Sequence, residues 1–462
     1  MNIIKKGAKE FLNIFDIIKN NEFKGYTGIA IKNSIYQSAT TLIMKIGALI
    51  FMVILARILM PELFGLYSLA LSTILLFVSF SDLGIGQTLI KFVSQALGKN
   101  KQSKAKAYVL HLTKIKIMFL FLTITILAIS AKFISNNFYN KPIFLALLAG
   151  IFYIFIVGII GFVQVFFQSV NNFKVLFFKE IFFQTLRIIM VPLLILYSLQ
   201  HFVSKEISIF IVIISLGFVW LLTFLFLFIF GRSRLPFLKV EASKLQKNEK
   251  KKINRFVLNL IAFSLSGIFF SYIDILFLGH FVLSNFIGYY AVTLGLLASL
   301  PPLIGFSSVL FPIFSRIKGE RLERGFKKTI RITVFLALLF FIFVFVFASL
   351  IIKIIYGEAY LNAIPLLRLL SFLLISMPLI PLYTTYFIAR GKPKIVTKFL
   401  LISAIINIIL NYILIIWLID YSQMAAVIGV CLATLISNYF LLFGLVFIRK
   451  KHKKVFKKSQ SL

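Results

Sequence analysis

A single cysteine, Cys431, stands in 462 residues. One thiol excludes an intrachain disulfide framework and a multi-cysteine metal cluster. It reads instead as a small buried apolar side chain. Histidine is also rare, with four in the chain, and no Cys/His cluster suggests a metal. There is no Gly-x4-Gly-Lys-Ser/Thr run, so the P-loop needed for that type of ATP-driven transport is missing. Acids number only 14 against 50 Lys and Arg. No cleavable signal peptide is expected.

What is present is apolar. Hydrophobic residues make up 60% of the chain and charged ones 14%, and the mean hydropathy is +1.01. Soluble domains carry about a quarter charged residues, so this is a polytopic membrane protein. The 55 Phe residues suit side chains that face acyl tails. The net charge of +36 does not imply a nucleic-acid partner, because the cations fall mainly in short loops on one side and in the two tails.

A membrane helix needs roughly 20 apolar residues. That ruler gives twelve spans, at about 33–59, 63–92, 114–133, 143–168, 179–200, 207–230, 257–281, 287–314, 329–354, 364–389, 396–419 and 423–448. Basic groups follow the even spans: Lys99 to Lys106, Lys174 and Lys179, Arg232 to Arg255, Arg316 to Lys328, Arg390 to Lys394, and Arg449 to Lys458. After the odd spans there is little charge: Lys132 and Lys141, Lys205, Lys353, and otherwise acids such as Glu62, Glu206, Glu358 and Asp420. This is the positive-inside pattern, and it places both termini in the cytoplasm of a multi-pass protein of the cytoplasmic membrane. Five segments follow from the pattern. Residues 1–30 form an amphipathic cytoplasmic helix on the membrane surface, and 31–230 an N-lobe. Residues 231–256 form a basic linker, 257–448 a C-lobe and 449–462 a basic tail.

The first hairpin organises the rest. Its helices carry Lys45 and Asp82 on stripes of small polar residues: Ser34, Ser38, Thr41, Lys45, Ala48, and Ser68, Ser72, Ser79, Asp82, Gly86. Steps of three and four put each stripe on one helical face. A charged, hydroxylated face at membrane depth points to a wet cavity. Leu63-Phe-Gly-Leu-Tyr67 lines up with Phe286-Ile-Gly-Tyr-Tyr290, which sets Arg57 opposite His280. A second echo pairs Phe167-Gln-Ser-Val-Asn-Asn-Phe-Lys174 with Phe387-Ile-Ala-Arg-Gly-Lys-Pro-Lys394. The expected fold is therefore all-α, with twelve transmembrane helices in two six-helix lobes related as parallel repeats, and a site between them.

The run Leu55-Ala-Arg-Ile-Leu-Met-Pro-Glu-Leu-Phe-Gly-Leu-Tyr67, continued by Phe80-Ser-Asp-Leu-Gly-Ile-Gly86, resembles the first hairpin of Wzx-type oligosaccharide flippases. These belong to the multidrug/oligosaccharidyl-lipid/polysaccharide exporter superfamily. Tyr356-Gly-Glu-Ala-Tyr360 is similar to that family's short outer loop. The resemblance implies a two-lobed, V-shaped carrier that flips a polyprenyl-pyrophosphate-linked oligosaccharide. Its partners would be membrane lipids and the glycan polymerase and glycosyltransferases of the same pathway. Two alternatives stand beside it: a multidrug or small-molecule exporter of the same fold, and a membrane enzyme of glycan assembly. The enzyme would need catalytic acids at a membrane face, and the outer loops are short and hold few carboxylates.

Substrate-binding candidates follow from charge and amides at membrane depth. Lys45 and Arg187 suit phosphate, Arg through its planar fork of donors. Arg187 shares a face with Glu180 and Gln184. Two polar ladders, Gln164, Gln168, Asn171 and Ser403, Asn407, Asn411, suit sugar hydroxyls or helix–helix hydrogen bonds. Arg57 could touch phosphate at the exit or snorkel to the surface. No bound cofactor is expected. Asp82 and Asp274 are the candidates for proton or sodium coupling, Asp274 on a face with Ser264, Gly267 and Ser271. Lys45 and Asp82 fit two readings, a pair that pins the hairpin or a cavity lining. Pro301-Pro302 and Pro378 with Pro381 are expected to kink spans eight and ten.

Overall fold

The structure is a computed structural model that describes residues 25–201, 204–304 and 319–458. The first 24 residues of the amphipathic segment, residues 305–314 of the eighth span with 315–318 after it, and the last four of the tail lie outside the described residues. What is described forms fifteen α-helices, with no strand among them. In the N-lobe these are α1 (Gly25–Phe80), α2 (Ile85–Leu97), α3 (Gln102–Lys132), α4 (Phe144–Ser169), α5 (Phe173–His201) and α6 (Lys205–Gly231). The C-lobe holds α7 (Lys247–Phe281), α8 (Ser284–Ser299), α9 (Pro301–Ile304), α10 (Gly319–Val346) and α11 (Ala348–Ile355). It continues with α12 (Ile364–Leu370), α13 (Leu373–Ala389), α14 (Pro393–Ile419) and α15 (Gln423–Lys458).

Eight helices are each long and apolar enough to cross a membrane, and the bent pair α12–α13 makes a ninth. The first of the eight runs for 49 residues. A straight helix of that length would reach about 70 Å, over twice the ~30 Å hydrocarbon core. It is not straight. Met60 breaks it at φ 58°, ψ 169°, because Pro61 removes a hydrogen-bond donor and drives the preceding residue out of the helical region. The first hairpin is thus two spans, and with α7 and α8 the count is twelve, six to a lobe.

Two spans are broken where hydropathy gave no sign. The second was expected to be continuous over 63–92. It stops at Phe80 and resumes at Ile85, with Leu83 at φ 35° and Gly84 at φ 87° between. The tenth bends by 50° between Leu370 and Leu373, where the Ser371 hydroxyl donates to the Arg368 carbonyl at 2.6 Å. Pro378 and Pro381 lie inside the continuous helix α13, so the bend comes from the side-chain hydroxyl that competes for the backbone. The Pro301-Pro302 pair does mark a break, between α8 and α9.

The apolar cores describe how the lobes meet. One cluster holds Leu55, Phe64 and Ile74 of the N-lobe together with Tyr290, Leu297, Tyr360 and Leu374 of the C-lobe. It fills the end of the bundle where the first-hairpin turn lies, here the hairpin end. At the opposite, basic end the cores separate. One belongs to α2–α6 with the linker and the start of α7, the other to α10, α13, α14 and α15. Among the described residues, and apart from the start of α7, the lobes share a core only at the hairpin end.

The basic linker is not a loose strap. Leu235 and Phe237 are buried in the N-lobe's own core, and Ser243 donates its N–H to the Ser103 carbonyl at 3.2 Å. Lys104 pairs with Glu249, and that hydrogen bond holds the Glu249 carboxyl below the usual carboxylate range.

Candidate substrate cavity

A cavity of about 550 Å³ lies between the lobes. Its N-lobe wall carries Phe51, Tyr67, Ser68 and Ser72 of α1, Tyr153 and Gln164 of α4, Trp220 of α6, and the polar face of α5. Its C-lobe wall is apolar: Ile275 on α7, and Ala291, Leu294, Gly295 and Ala298 on α8. Among the described residues, all the formal charge on this cavity therefore comes from the N-lobe.

That charge is organised along one face of α5, where steps of four and three stack Glu180, Gln184 and Arg187. Lys179 donates to Glu180 Oε2 at 2.8 Å, and Gln184 donates to Glu180 Oε1 at 2.6 Å. The same Gln184 accepts from Arg187 Nη2 at 2.6 Å. Glu180 and Arg187 thus have no direct tie, and the amide holds them apart. The guanidinium lies 4.6 Å from the Phe51 ring and 5.2 Å from the Phe183 ring. Its Nε is buried without a hydrogen-bond partner, so an unspent donor remains in the wall. Two cations stand against one carboxylate, which leaves the wall positive.

A smaller cleft of about 350 Å³ opens towards the basic end between Ser79, Gln87, Ser264, Gly267, Ser271 and Tyr272. Hydroxyls and an amide line it beside Ile268 and Leu400, with no formal charge among the described residues. Asp274 continues this face of α7 in sequence but turns away into the C-lobe, where it is 7% exposed. Its carboxylate accepts from Tyr290 at 2.7 Å, Asn411 at 2.6 Å and Thr434 at 2.7 Å. Asn411 Nδ2 also donates to Asn407 at 3.3 Å, while Asn411 Oδ1 is buried without a partner. Among the described residues no group of three His, Cys, Asp or Glu could hold a metal. The oxygens of Asp274, Asn411 and Thr434 are the set that could take a proton or a small monovalent cation.

A family model described as polysaccharide biosynthesis protein matches residues 30–318. The chain belongs to this family. None of the curated proteins matches it in sequence. Among solved structures it is similar to a multidrug resistance MATE family transporter of the MOP superfamily in an inward-facing conformation. That match has a TM-score of 0.63 at 15% identity and covers 91% of this chain and 96% of that one. An outward-facing conformation of such a transporter scores 0.53 at 17% identity, with 93% and 97% covered. The lipid II flippase MurJ, inward closed, scores 0.64 at 14% identity, with 89% and 87% covered. These likenesses show the fold: all-α, two six-helix lobes. These neighbours are described as transporters and a flippase.

In this family member the sequence candidates part company. Arg187 and Gln164 line the cavity, whereas Gln168 is half-buried further along α4 and Asn171 sits in the turn beyond it at φ 57°. Asn407 and Asn411 belong to the Asp274 network rather than to either cavity wall. Arg57 spends its donors on the carbonyls of Ile354 and Ile355 at the hairpin end. Lys45 is half-buried on α1 and does not pair with Asp82. That carboxylate lies 3.8 Å from Lys116 of α3, a residue the hydropathy ruler left unmarked. Lys116 is 5% exposed and donates to the Ser81 carbonyl and hydroxyl at 2.9 and 3.0 Å. Lys179 was also misplaced by the sequence, as a loop cation. It is 4% exposed and lies 5.5 Å from the Trp220 ring. The adjacent Glu180 was its only signal.

Proposed function

We propose that this protein is a flippase that carries a polyprenyl-pyrophosphate-linked oligosaccharide across the cytoplasmic membrane by alternating access of its two lobes. The observation that supports it best is Arg187, a half-buried guanidinium held at one end by Gln184 and flanked by aromatic rings, with a buried donor to spare. A phosphate diester or pyrophosphate matches that donor set, because charge-assisted bonds to oxyanions are the strong ones. Lys45, on α1, is not among the cavity-lining residues, whereas Gln164, Ser68 and Ser72 line it and offer partners to sugar hydroxyls. The apolar α8 wall suits the first isoprene units. Proton or sodium coupling falls to Asp274, since Asp82 already has a resident ammonium beside it. The pathway's glycosyltransferases and polymerase would act before and after this step.

The test compares Arg187→Ala with Arg187→Lys at matched membrane abundance, scoring oligosaccharide that reaches the outer leaflet. Loss of a buried charge-assisted contact costs about 2–4 kcal/mol, hence a thirtyfold or greater fall in export for Arg187→Ala. Lys restores part of it, as a point charge without the fork. Normal surface glycan in the Ala variant would sink the assignment. Sensitivity to cationic drugs with normal glycan in a deletion strain would favour a small-molecule exporter instead.

A further inference from the structure

The Gly-x-Tyr echo acquires a physical meaning at the hairpin end. Gly65 lies four residues after Pro61, and Gly288 four after Ser284. A β-carbon on Gly65 would overlap the Ser284 carbonyl oxygen, and one on Gly288 would overlap the Pro61 carbonyl oxygen. Each turn lays its backbone against the glycine of the other lobe. Only glycine permits backbones so close.

Four residues before Pro61 and before Ser284 stand Arg57 and His280. Each crosses to the end of the third span of the opposite lobe. Arg57 Nε donates to the Ile355 carbonyl at 2.7 Å, and Nη2 donates to that of Ile354, where α11 ends. His280 Nδ1 donates to the Phe138 carbonyl at 2.5 Å, in the π-helical turn Phe133–Tyr139 that extends α3. Helix C-termini leave free carbonyls and partial negative charge, which suit such donors. The Tyr360 hydroxyl adds a bond to the Ala56 carbonyl at 2.9 Å. This gives the Tyr356-Gly-Glu-Ala-Tyr360 motif a role as a clamp between lobes. Two residues after Gly288, Tyr290 gives its hydroxyl to Asp274.

We propose that the two crossed turns are the outer latch of the carrier, exchanged reciprocally between the lobes, and that Tyr290 couples this latch to Asp274. A proton or cation on Asp274 competes with the Tyr290 hydroxyl for the same carboxylate. Release of that hydroxyl loosens the start of α8, whose second turn carries Gly288. The proposal rests on the alternating-access reading, but its test reads exposure and needs no glycan.

The reporter is Ala48→Cys, in the cavity wall and outside the proposed binding groups, in a Cys431→Ala background. Right-side-out vesicles are treated with a membrane-impermeant maleimide. The parent reacts slowly from outside. Gly65→Val and Gly288→Val should raise the rate steeply, and Arg57→Ala and His280→Ala by about tenfold and threefold, in line with the hydrogen bonds each removes. Tyr290→Phe and Asp274→Asn should shift the rate in one direction, with the double variant no further than the larger single change. Unchanged labelling in the glycine variants overturns the latch. If those variants fail to reach the membrane, Arg57→Ala and His280→Ala decide by the same criterion. Additive effects of Tyr290→Phe and Asp274→Asn overturn the coupling. A protein that labels as expected yet moves no glycan refutes the proposed substrate and leaves the latch standing.

Discussion

At the scale of single residues, the same side-chain type does different work according to what its end meets. Lys141, in the turn between α3 and α4, donates to the Gly279 carbonyl at 2.6 Å and to the Tyr139 carbonyl at 3.4 Å. Burial pushes its ammonium down to about 8 from the ordinary 10.5. Below pH 8 both folded and unfolded chains hold this proton, and the burial penalty is felt in full. Between about 8 and 10.5 the unfolded chain holds a proton that the folded one has lost, so stability rises with pH across that window. A Lys141→Met variant should lack this rise. Thermal unfolding in detergent from pH 7.5 to 10 checks it, and parallel curves for parent and variant would show that Lys141 does not titrate there. Composition could never separate Lys141 from a solvated loop cation. Lys179 was lost in the same way, counted with the basic loops when it is packed against Glu180 and Trp220.

At the scale of elements, hydrophobic length fixed where spans run but not where they break. The break at 81–84 is written in short-range terms: a turn at Ser81 and Asp82, a positive φ at Leu83 and Gly84, and an ammonium from another helix. Lys116 satisfies the carbonyl that ends the first half of this span, as a cation at a helix C-terminus should. Asp82 Oδ1 accepts the Gly86 N–H at 3.3 Å, which starts the second half. Removing one partner of a buried pair costs about 3–5 kcal/mol, and Asp82 is 47% exposed, so solvent screens part of it. Lys116→Met should therefore cost roughly 1–3 kcal/mol. Asp82→Asn should cost less, since Lys116 keeps both Ser81 oxygens. Denaturation midpoints of the two variants rank them, and the reverse order would show that the carboxylate, not the ammonium, holds the break. Lys45 looked the stronger candidate in sequence because it sits mid-span, whereas Lys116 lies near the expected end of the third. Depth along one helix says nothing about which neighbour a side chain reaches.

At the scale of the whole molecule, the alternation of loop charge and the repeat of Gly-x-Tyr carried most of the fold. They supported the span count and gave the two lobes. Neither could show that the lobes share a core at one end and separate at the other, because that depends on packing between residues far apart in the chain. Orientation decides what this arrangement means. Cations cluster at the basic end, and translocation against the membrane potential disfavours short basic loops. In a Cys431→Ala background, Lys250→Cys, on an exposed part of α7, should react with an impermeant maleimide only in inside-out vesicles. Glu358→Cys, exposed beside α11, should react only in right-side-out ones. The shared core then lies on the outer side, and the separated cores lie towards the cytoplasm. Lys250→Cys reacting from outside would turn the molecule round. The crossed turns would then close the inner face, and the carrier would present its cavity to the outer leaflet.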